Sequence, residues 1–570
     1  MTAKKWTRRE LMRVVGLGSA ATAVAACKPE VVVETVETFV KETVEVEKVV
    51  KETVVVTEKE VVEIAVTPEP EKELEGTIVI TLQGNDTQSW ENLALAYELL
   101  HPNVNVRVEL KPADGYPEWI RAQATAGIPE ASYVNGNVVQ ELFPAGKFLD
   151  FAPYFDKMSP YTNQPWRDDM EPWAVSAILD PVTGECHMLS LETVQVLWFY
   201  NKSIFEEVGI TDIAAQPTWE DFIGWCKRIK AAGYIPFAIE GNYDSFWAMR
   251  VGWMLRTYVD QYTRDEILIK RCQPGDYCFQ EGIDDVWEWD PSDPFNDDNH
   301  KVTTNGVRAL RALRDGEIRV DSLEVRDMFE NLSQLLGPMT QEGWIGTTDA
   351  LPLFLKGEAA IWLDGAWLLS NFEREMKAIQ EAAGADEVIE AFDLGTFNCP
   401  TMTGELVDAP ARTIEATVGF YSVFQKDQAQ NDLEMDFLMF LTSPEGYGIY
   451  LRNRLDPNNP NGGIYGPPVV KGVSLPEKYQ VLFDGLQFIG NHQKAASGNW
   501  ISIGYNPETT RIHVDLMQRY FLGEITLDDL LSGYQQACED NLETYLVDEA
   551  RWAAGLAALD TPEKEPELLE

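Results

Sequence analysis

The chain has 570 residues, of which 45% are hydrophobic, and this is enough apolar material for two or more packed domains. Its 46 Lys and Arg residues against 93 Asp and Glu residues give a formal net charge of −47, which repels nucleic-acid phosphates and anionic membrane surfaces. Nucleic acid is therefore not expected as a partner. Beyond the amino terminus, no apolar run reaches the ~20 residues that a membrane-spanning helix needs.

The first 26 residues have the pattern of an export signal. An apolar stretch at 14–26, too short to cross a bilayer, follows several Lys and Arg residues. Residues 24–27, Val-Ala-Ala-Cys, resemble the bacterial lipobox, in which the cysteine is acylated, and residues 7–11 resemble a twin-arginine export motif. We expect a signal peptide at 1–26 and a lipid on Cys27 that anchors the protein to the membrane, outside the cytoplasm. The alternative is an ordinary signal peptide.

Residues 28–75 are of low complexity and consist almost entirely of Val, Glu, Thr and Lys, with Val-Lys-Glu-Thr repeated at 40–43 and 50–53. The valines do not keep a heptad spacing, so a coiled coil is not favoured. Pro68 and Pro70 end any regular element. The sequence therefore predicts a lipid-anchored, extended stalk at 27–75.

The first strand of a globular part is predicted at 77–82, and a helix with apolar residues at helical spacing and a second strand at 104–108 follow it. Strand, helix and strand in this order are typical of a parallel α/β sheet, which binds ligands at the carboxyl ends of its strands. We therefore expect Asn85 and Asp86, which follow the first strand, at the mouth of a cleft.

Several later segments resemble one family. Residues 197–210 with 217–222 are similar to the crossover segment of the extracellular solute-binding proteins of sugar ABC transporters, which are of the maltose-binding type. Residues 354–367 are similar to that family's helix-turn-strand ending in Gly-x-Trp, and residues 523–530 to the start of its C-terminal helix. Together these segments extend the resemblance over most of 76–555.

This resemblance implies an α/β fold of two lobes that are joined by hinge crossovers, with the ligand bound between them. The lobes would alternate along the chain: the first lobe comprises 76–195 and 401–485, and the second comprises 196–400 and 486–570. Residues 271–302 exceed the family core and are interpreted as an insertion within the second lobe.

Aromatic side chains are the first group of predicted ligand contacts, because the C–H faces of sugars stack on rings. Trp367 matches the family's stacking tryptophan, and Tyr243 and Trp247 lie where the family places ring contacts. Trp500 is added because it lies in a polar turn, although the family's C-terminal aromatic residue would align nearer Thr510. For any single Trp among the 17, a place in the core is the ordinary alternative.

Polar side chains that could hold sugar hydroxyls form the second group: Asn85, Asp86, Asn135, Asn137, Glu192 and Asp364. Turn formation and helix capping are the ordinary roles of Asn and Asp at such positions. Two positions depart from the family pattern, because Val134 replaces a first-lobe tryptophan and Asp86 replaces a basic residue. A sugar would therefore be held differently from maltose in a maltose-binding protein.

Cys27 is assigned to lipid, which leaves six cysteines. A disulfide is predicted between Cys272 and Cys278, because the five residues between them can form a loop and export permits oxidation. The other four could be buried thiols. A calcium-binding surface module is a further alternative, although the spacing of its ligand residues does not fit an EF-hand loop. These residues are Asp293, Asn296, Asp297 and Asp298.

No enzymatic motif accompanies these features. The five histidines lack metal-ligand spacing, and no zinc-protease, serine-hydrolase or nucleotide-binding motif occurs, so neither a cofactor nor a metal is expected. The sequence predicts a monomeric lipoprotein that captures a neutral saccharide and delivers it to the permease subunits of an ABC importer. The alternatives are a glycosidase-like enzyme and a binding protein for another solute.

Overall fold

The computed structural model describes residues 73–569 except 84–86, 113–114, 128, 144, 177, 180–183, 300, 385–386, 408, 457–458, 460–461, 485–488 and 491–499. The predicted signal peptide and nearly all of the predicted stalk therefore lie outside the described residues. Among the helices within these ranges, none is both long enough and apolar enough to span a bilayer.

The fold is mixed α/β. Its strands are β1 (Gly76–Gln83), β2 (Val104–Lys111), β3 (Tyr133–Val134), β4 (Leu189–Asn201), β5 (Ile235–Ala238), β6 (Ala359–Gly365), β7 (Leu394–Phe397) and β8 (Glu415–Val423). The sheet order is β2-β1-β3-β8-β4-β6-β5, and β7 pairs with β4 outside this path.

The helices lie on both sides of this sheet. In chain order they are α1 (Thr87–Leu100), α2 (Tyr116–Thr125), α3 (Pro172–Ser176), α4 (Lys202–Glu207), α5 (Trp219–Ala231), α6 (Tyr243–Trp247), α7 (Arg250–Tyr262), α8 (Ile267–Lys270), α9 (Gly306–Asp315), α10 (Leu323–Leu335), α11 (Leu351–Leu355), α12 (Trp367–Ala382), α13 (Gln428–Leu441), α14 (Pro444–Arg454), α15 (Glu477–Asp484), α16 (Trp500–Ile503), α17 (Pro507–Phe521) and α18 (Leu527–Thr544).

The strand, helix and strand predicted at the start of the globular part are confirmed. β1 and β2 run parallel in continuous register, with Ile78 opposite Val106, and α1 connects them. Ile78, Ile80 and Leu93 are buried in the same core. α5 begins with a side-chain cap, because the Thr218 hydroxyl accepts a hydrogen bond from the backbone N–H of Asp221.

β4 joins the two ends of the sheet. Residues 189–195 pair antiparallel with β8, whereas residues 196–200 pair with β6 and residues 198–201 pair with β7. We call the part around β1, β2, β3 and β8 the first lobe, and the part around β5, β6 and β7 the second lobe. The chain thus passes from one lobe to the other within a single strand.

Apolar side chains form two main cores. One core lies between β1 and the helices α1, α13 and α14, and it extends to the face of β6 that α11 and α12 cover. The other contains α5, α7, α10, α17 and α18 with the opposite face of the second lobe's strands. β6 separates these cores, because Trp362 is buried in the first and Ile361 and Leu363 in the second.

The predicted disulfide between Cys272 and Cys278 is confirmed, with Cα atoms 5.8 Å apart. It lies in residues 271–304, which contain neither helix nor strand in their described part and which we call the 271–304 loop. The remaining described cysteines, Cys186, Cys226, Cys399 and Cys538, are free thiols.

A buried ion-pair network fastens the 271–304 loop to residues 398–414, which lead from β7 in the second lobe to β8 in the first and which we call the second crossover. Arg412 is 1% exposed, and its guanidinium binds Asp260 of α7 and, at 2.6 Å, Asp297 of the loop. Burial raises the pKa of Asp260, but the charges of Arg412 and Arg264 outweigh burial and bring this pKa below its ordinary value.

We expect Arg412→Met to lower the free energy of unfolding by about 3–5 kcal/mol, because Asp260 and Asp297 would remain buried without their main counter-charge. Urea unfolding at pH 7 measures the change. Arg511→Met is the matched control: Arg511 pairs with Glu508 on an exposed helix face, and its removal should leave the urea midpoint unchanged. Equal urea midpoints for Arg412→Met and the unmodified protein would contradict this role of the network.

Candidate functional site

The carboxyl end of β5 presents two exposed aromatic side chains. Asn242 follows this strand and caps α6 by accepting a hydrogen bond from the Ser245 N–H at 3.2 Å. The short helix displays Tyr243 and Trp247, which are 43% and 38% exposed. Both residues were predicted as ring contacts, and the structure places them together at one strand end. Rings so open to solvent are available for stacking.

The carboxyl end of β6, which is parallel to β5, carries Asp364 and leads into α12 at Trp367. Asp364 is 3% exposed and accepts hydrogen bonds from Arg250 Nη1 at 2.7 Å and from Trp362 Nε1 at 2.9 Å. A third bond comes from the Gly365 N–H at 2.8 Å. Asp364 was predicted as a polar ligand group, and in this structure its oxygens hold Arg250 and the start of the turn.

Arg250 is the centre of a charged group that the sequence did not reveal. Its guanidinium lies 4.6 Å from the ring centre of Trp362 and 5.2 Å from that of Trp253, and its Nε is 3.4 Å from Glu240. Burial raises the pKa of both Glu240 and Asp364, although the charge of Arg250 opposes this effect. The group brings the carboxylates of Glu240 and Asp364 to the guanidinium of Arg250, beside the rings of Trp253 and Trp362.

The predicted stacking residue, Trp367, lies in a row of aromatic side chains. Its ring centre is 6.0 Å from that of Trp253 and 6.2 Å from that of Tyr465, and it meets Tyr465 at 90°. Tyr465 is 41% exposed, and the guanidinium of Arg454 lies 5.4 Å from its ring. The row therefore joins α7 and α12 of the second lobe to the loop after α14.

Glu192 connects this row to β4. It is 3% exposed, and it accepts a hydrogen bond from the Tyr465 N–H at 3.0 Å and lies 3.6 Å from Arg454. Like Asp364, Glu192 was predicted as a ligand group. The structure shows that it orients the loop that carries Tyr465.

The first lobe brings another aromatic residue to the carboxyl ends of its strands. The hydroxyl of Tyr116 lies 3.1 Å from that of Thr81 on β1 and 3.2 Å from the Asn135 N–H after β3. Trp119 stacks on Tyr116 with ring centres 5.7 Å apart, and Lys111 Nζ lies 4.7 Å from the Trp119 ring. Trp119 thus lies at the edge where Asn135 was predicted to act.

The remaining predicted site residues have different positions. Asn85 and Asp86 lie outside the described residues, as does the side chain of Asn137. Trp500 begins α16 and is 8% exposed within the second core. No described residue accepts a hydrogen bond from its Nε1.

A small pocket lies where the crossovers meet the second lobe. Its lining includes Val196 of β4, Leu363 of β6, Trp253 and Thr257 of α7, and Thr413 before β8. Trp253 therefore borders both this pocket and the aromatic row. Cys399 also lines the pocket, and burial raises the pKa of its thiol to about 11, so it is a protonated thiol at neutral pH.

The four residues considered for calcium have other partners. Asp297 binds Arg412, and Asp293 binds Lys301 at 2.9 Å. The side-chain amide of Asn296 bonds to the backbone, and the backbone N–H of Asp298 donates to the Phe295 carbonyl at 3.2 Å. In the described ranges, no group of three or more His, Cys, Asp or Glu side chains is arranged to hold a metal ion.

Sequence reasoning missed five residues of this site: Arg250, Trp253, Arg454, Tyr465 and Trp119. One local signal could have indicated Tyr465, because residues 462–466 form a glycine-rich loop with a single aromatic residue. The others lie on helices, where an aromatic or basic residue has no local pattern that distinguishes a cleft from a core.

Comparison with known proteins supports the resemblance found in the sequence. Residues 83–265 match the model of the family described as bacterial extracellular solute-binding protein, and this match confirms the family resemblance that the motifs predicted. No curated protein sequence is significantly similar to this chain.

Solved structures extend the likeness to most of the chain. The solute-binding protein RafE in complex with raffinose is 17% identical, with 82% of this chain and 99% of that chain covered and a TM-score of 0.50. The cyclic alpha-maltosyl-1,6-maltose binding protein of Arthrobacter globiformis is 15% identical over 82% and 98% of the two chains, with a TM-score of 0.50.

A probable secreted solute-binding lipoprotein from Streptomyces coelicolor is 14% identical over 81% of this chain and 98% of its own, with a TM-score of 0.54. At these identities the similarity establishes the fold. The predicted two-lobed α/β fold of solute-binding proteins is thereby confirmed.

Removing Arg250 should give a pH-dependent loss of stability. Arg250→Met leaves Glu240 and Asp364 buried without their guanidinium, so we expect a loss of about 3–5 kcal/mol in unfolding free energy at pH 7. Both carboxyls already have raised pKa values in the folded protein, so their ionised forms destabilise it at pH 7. Without Arg250 the pKa values of both carboxyls rise further. Protonation as the pH falls then removes the buried negative charges and restores part of the stability.

Urea unfolding of this variant and of Arg250→Lys, which retains the positive charge, checks the expectation at pH 7 and pH 5. The difference from the unmodified protein should be smaller at pH 5 for Arg250→Met, and smaller for Arg250→Lys than for Arg250→Met at pH 7. A loss of the same size at both pH values would show that the variant acts through packing alone.

Proposed function

We propose that this protein is the substrate-binding component of an ABC importer and that it captures a neutral saccharide between its two lobes. The observation that carries this proposal is the row of Trp253, Trp367 and Tyr465 at the carboxyl end of β6, beside the exposed Tyr243 and Trp247. Rings provide stacking surfaces for the C–H faces of a sugar, and polar groups around them bond to its hydroxyls.

Charge supports a neutral ligand. The carboxylates nearest to the rings lie beside arginines: Asp364 and Glu240 beside Arg250, and Glu192 beside Arg454. None of these groups therefore requires a counter-charge from the ligand. RafE was solved with raffinose, and the Arthrobacter globiformis protein is named for a cyclic maltosyl-maltose, so oligosaccharides are the first ligands to test.

The proposed site comprises the second-lobe rings together with Asn85, Asp86, Asn135, Asn137 and Trp119 from the first lobe. Glu192 and Asp364 hold the side chains and loops that present the rings. Trp500 stays in the proposal because no described residue accepts a hydrogen bond from its Nε1, which leaves this donor for a ligand. Binding in the cleft would favour the closed form, which the permease subunits would recognise.

The main alternative is a glycosidase-like enzyme, which needs one carboxyl as general acid and a second carboxylate about 5–9.5 Å away. In the described site, Glu192 and Asp364 are almost fully buried and hydrogen-bonded to protein groups, and Glu240 lies 3.4 Å from Arg250. These contacts do not leave two carboxyls placed on either side of a glycosidic bond. We therefore propose binding without catalysis. Mass spectrometry of an incubated oligosaccharide tests this, because any cleaved product would favour the enzyme.

Trp367→Ala should weaken oligosaccharide binding by at least about tenfold, because it removes the central stacking surface. A thermal-shift screen with raffinose and maltooligosaccharides identifies a ligand, and isothermal titration calorimetry measures its dissociation constant. The matched control is Trp552→Ala, which alters a partly exposed tryptophan whose backbone pairs with Leu568, and it should leave this dissociation constant unchanged. An unchanged affinity of the Trp367→Ala variant would remove Trp367 from the site, and a response to charged solutes alone would refute a neutral saccharide.

We also propose that the protein is a monomer, that residues 1–26 are removed on export and that Cys27 carries the lipid anchor. Cys27→Ser should release the protein from the membrane fraction into the soluble extracytoplasmic fraction, because the remaining chain has no acyl group. Cell fractionation with immunoblotting measures the distribution. Cys226→Ser, which alters a buried thiol, is the control and should remain with membranes. Membrane retention of the Cys27→Ser variant would exclude this anchor.

A further inference from the structure

The 271–304 loop is closed at its base and braced by buried polar groups. The Cys272 N–H donates to the Thr303 carbonyl at 3.0 Å, and the disulfide to Cys278 closes the first turn. Asp284 is 2% exposed and accepts hydrogen bonds from the Thr303 N–H at 2.8 Å and hydroxyl at 2.6 Å. These polar contacts and the disulfide brace the described part of the loop, which contains neither helix nor strand.

Two tryptophans lie on this loop with fixed orientations. Trp287 Nε1 donates to the Asn296 carbonyl at 2.8 Å, and the guanidinium of Arg271 lies 5.3 Å from the Trp287 ring. The ring centre of Trp289 is 6.3 Å away, and the two ring planes meet at 44°. Both side chains are partly exposed, and Val286 beside them is 68% exposed.

These tryptophans do not serve either main core. Neither Trp287 nor Trp289 belongs to a core cluster or packs against one. A hydrogen bond and Arg271 set the position of Trp287 instead, and Trp289 contacts the Trp287 ring. Large rings that are held rigidly at the surface are typical of binding surfaces, because a fixed ring loses little entropy when a ligand stacks on it.

The surroundings of the rings select the chemistry of the partner. Four exposed carboxylates lie close in sequence to them: Glu281, Asp285, Glu288 and Asp290. These charges repel polyanions, and their oxygens accept hydrogen bonds from hydroxyl groups. Indole faces with a rim of acceptors match an extended, neutral, hydroxyl-rich chain.

The 271–304 loop is attached near the end of α7 that lies away from the aromatic row. α7 begins with Arg250 at the aromatic row and reaches Asp260, which shares Arg412 with Asp297 of the loop. The ten residue steps from Arg250 to Asp260 span about 15 Å of helix. Ligands in the cleft and at the loop would therefore occupy separate places.

We propose that Trp287 and Trp289 form a second saccharide-binding surface, which holds a neutral polysaccharide chain outside the cleft. This surface would keep the polymer close to the cleft, where shorter saccharides are captured. It is independent of the cleft's own ligand, so each site is tested with its own measurement.

Affinity electrophoresis of the detergent-solubilised full chain tests this surface, in native gels containing amylopectin, galactomannan or neutral arabinoxylan. At least one polymer should retard the protein, and the double variant Trp287→Ala/Trp289→Ala should weaken this retardation at least about tenfold in apparent dissociation constant. Trp367→Ala, which alters the cleft, should be retarded like the unmodified protein. Absence of retardation in all three polymers, or equal retardation of the double variant, would overturn the proposal.

Two further measurements separate binding from folding. Trp289→Ala alone leaves the Trp287–Asn296 hydrogen bond in place, so it should weaken retardation while the melting temperature and the number of free thiols stay unchanged. Double substitution by Phe retains the ring faces and should retain part of the retardation. A single variant that folds normally and binds the polymer fully would refute the surface, as would retention by cationic chitosan alone.

Discussion

The continuity of β4 is the constraint on which the rest of the structure depends. Its first half completes the first lobe by pairing with β8, and its second half completes the second lobe by pairing with β6 and β7. A strand that is hydrogen-bonded on its edges cannot bend within either half without breaking the ladder. Among the connections that the structure describes, we therefore expect relative motion of the lobes at the change of partner near Gln195 and Val196 and in residues 398–414, which lead from β7 to β8.

The site divides its chemical tasks between buried charges and open rings. Asp364 and Glu192 are almost fully buried, and they hold Arg250 and the Tyr465 loop in place through charge-assisted hydrogen bonds. The rings they support remain partly or largely accessible. Buried charges that are not paired attract water or counter-ions, and in this protein arginines pair with these carboxylates. In the proposed site, stacking and hydroxyl contacts would therefore decide which ligand binds.

The sequence predicted features that local patterns determine. β1 and β2 follow from short apolar runs, and the Cys272–Cys278 disulfide follows from a loop that is short enough to bring two cysteines together. The position of Trp367 followed from the resemblance of 354–367 to a family segment. The partners of Asp364 could not be predicted, because Arg250 lies 114 residues away in the chain and only packing of α7 against β6 brings them together. An acidic residue at a strand end has the same local pattern whether it meets a ligand or an arginine.

Strand order also determines how far each aromatic ring lies from β4, the strand that both lobes share. Gly365, two residues before Trp367, pairs with Val196 of β4, so the aromatic row begins beside the strand that both lobes share. Tyr243 and Trp247 follow β5, one strand further from β4. The loop that carries Tyr465 also bonds to α12, where the Ser370 hydroxyl contacts the Ile464 carbonyl at 3.0 Å and its N–H at 3.3 Å. A rotation about β4 displaces atoms in proportion to their distance from it, so the inner rings change their surroundings less than the outer pair. In the proposed site, the inner rings would therefore be a fixed stacking surface, and opening of the lobes would change access most at the outer pair.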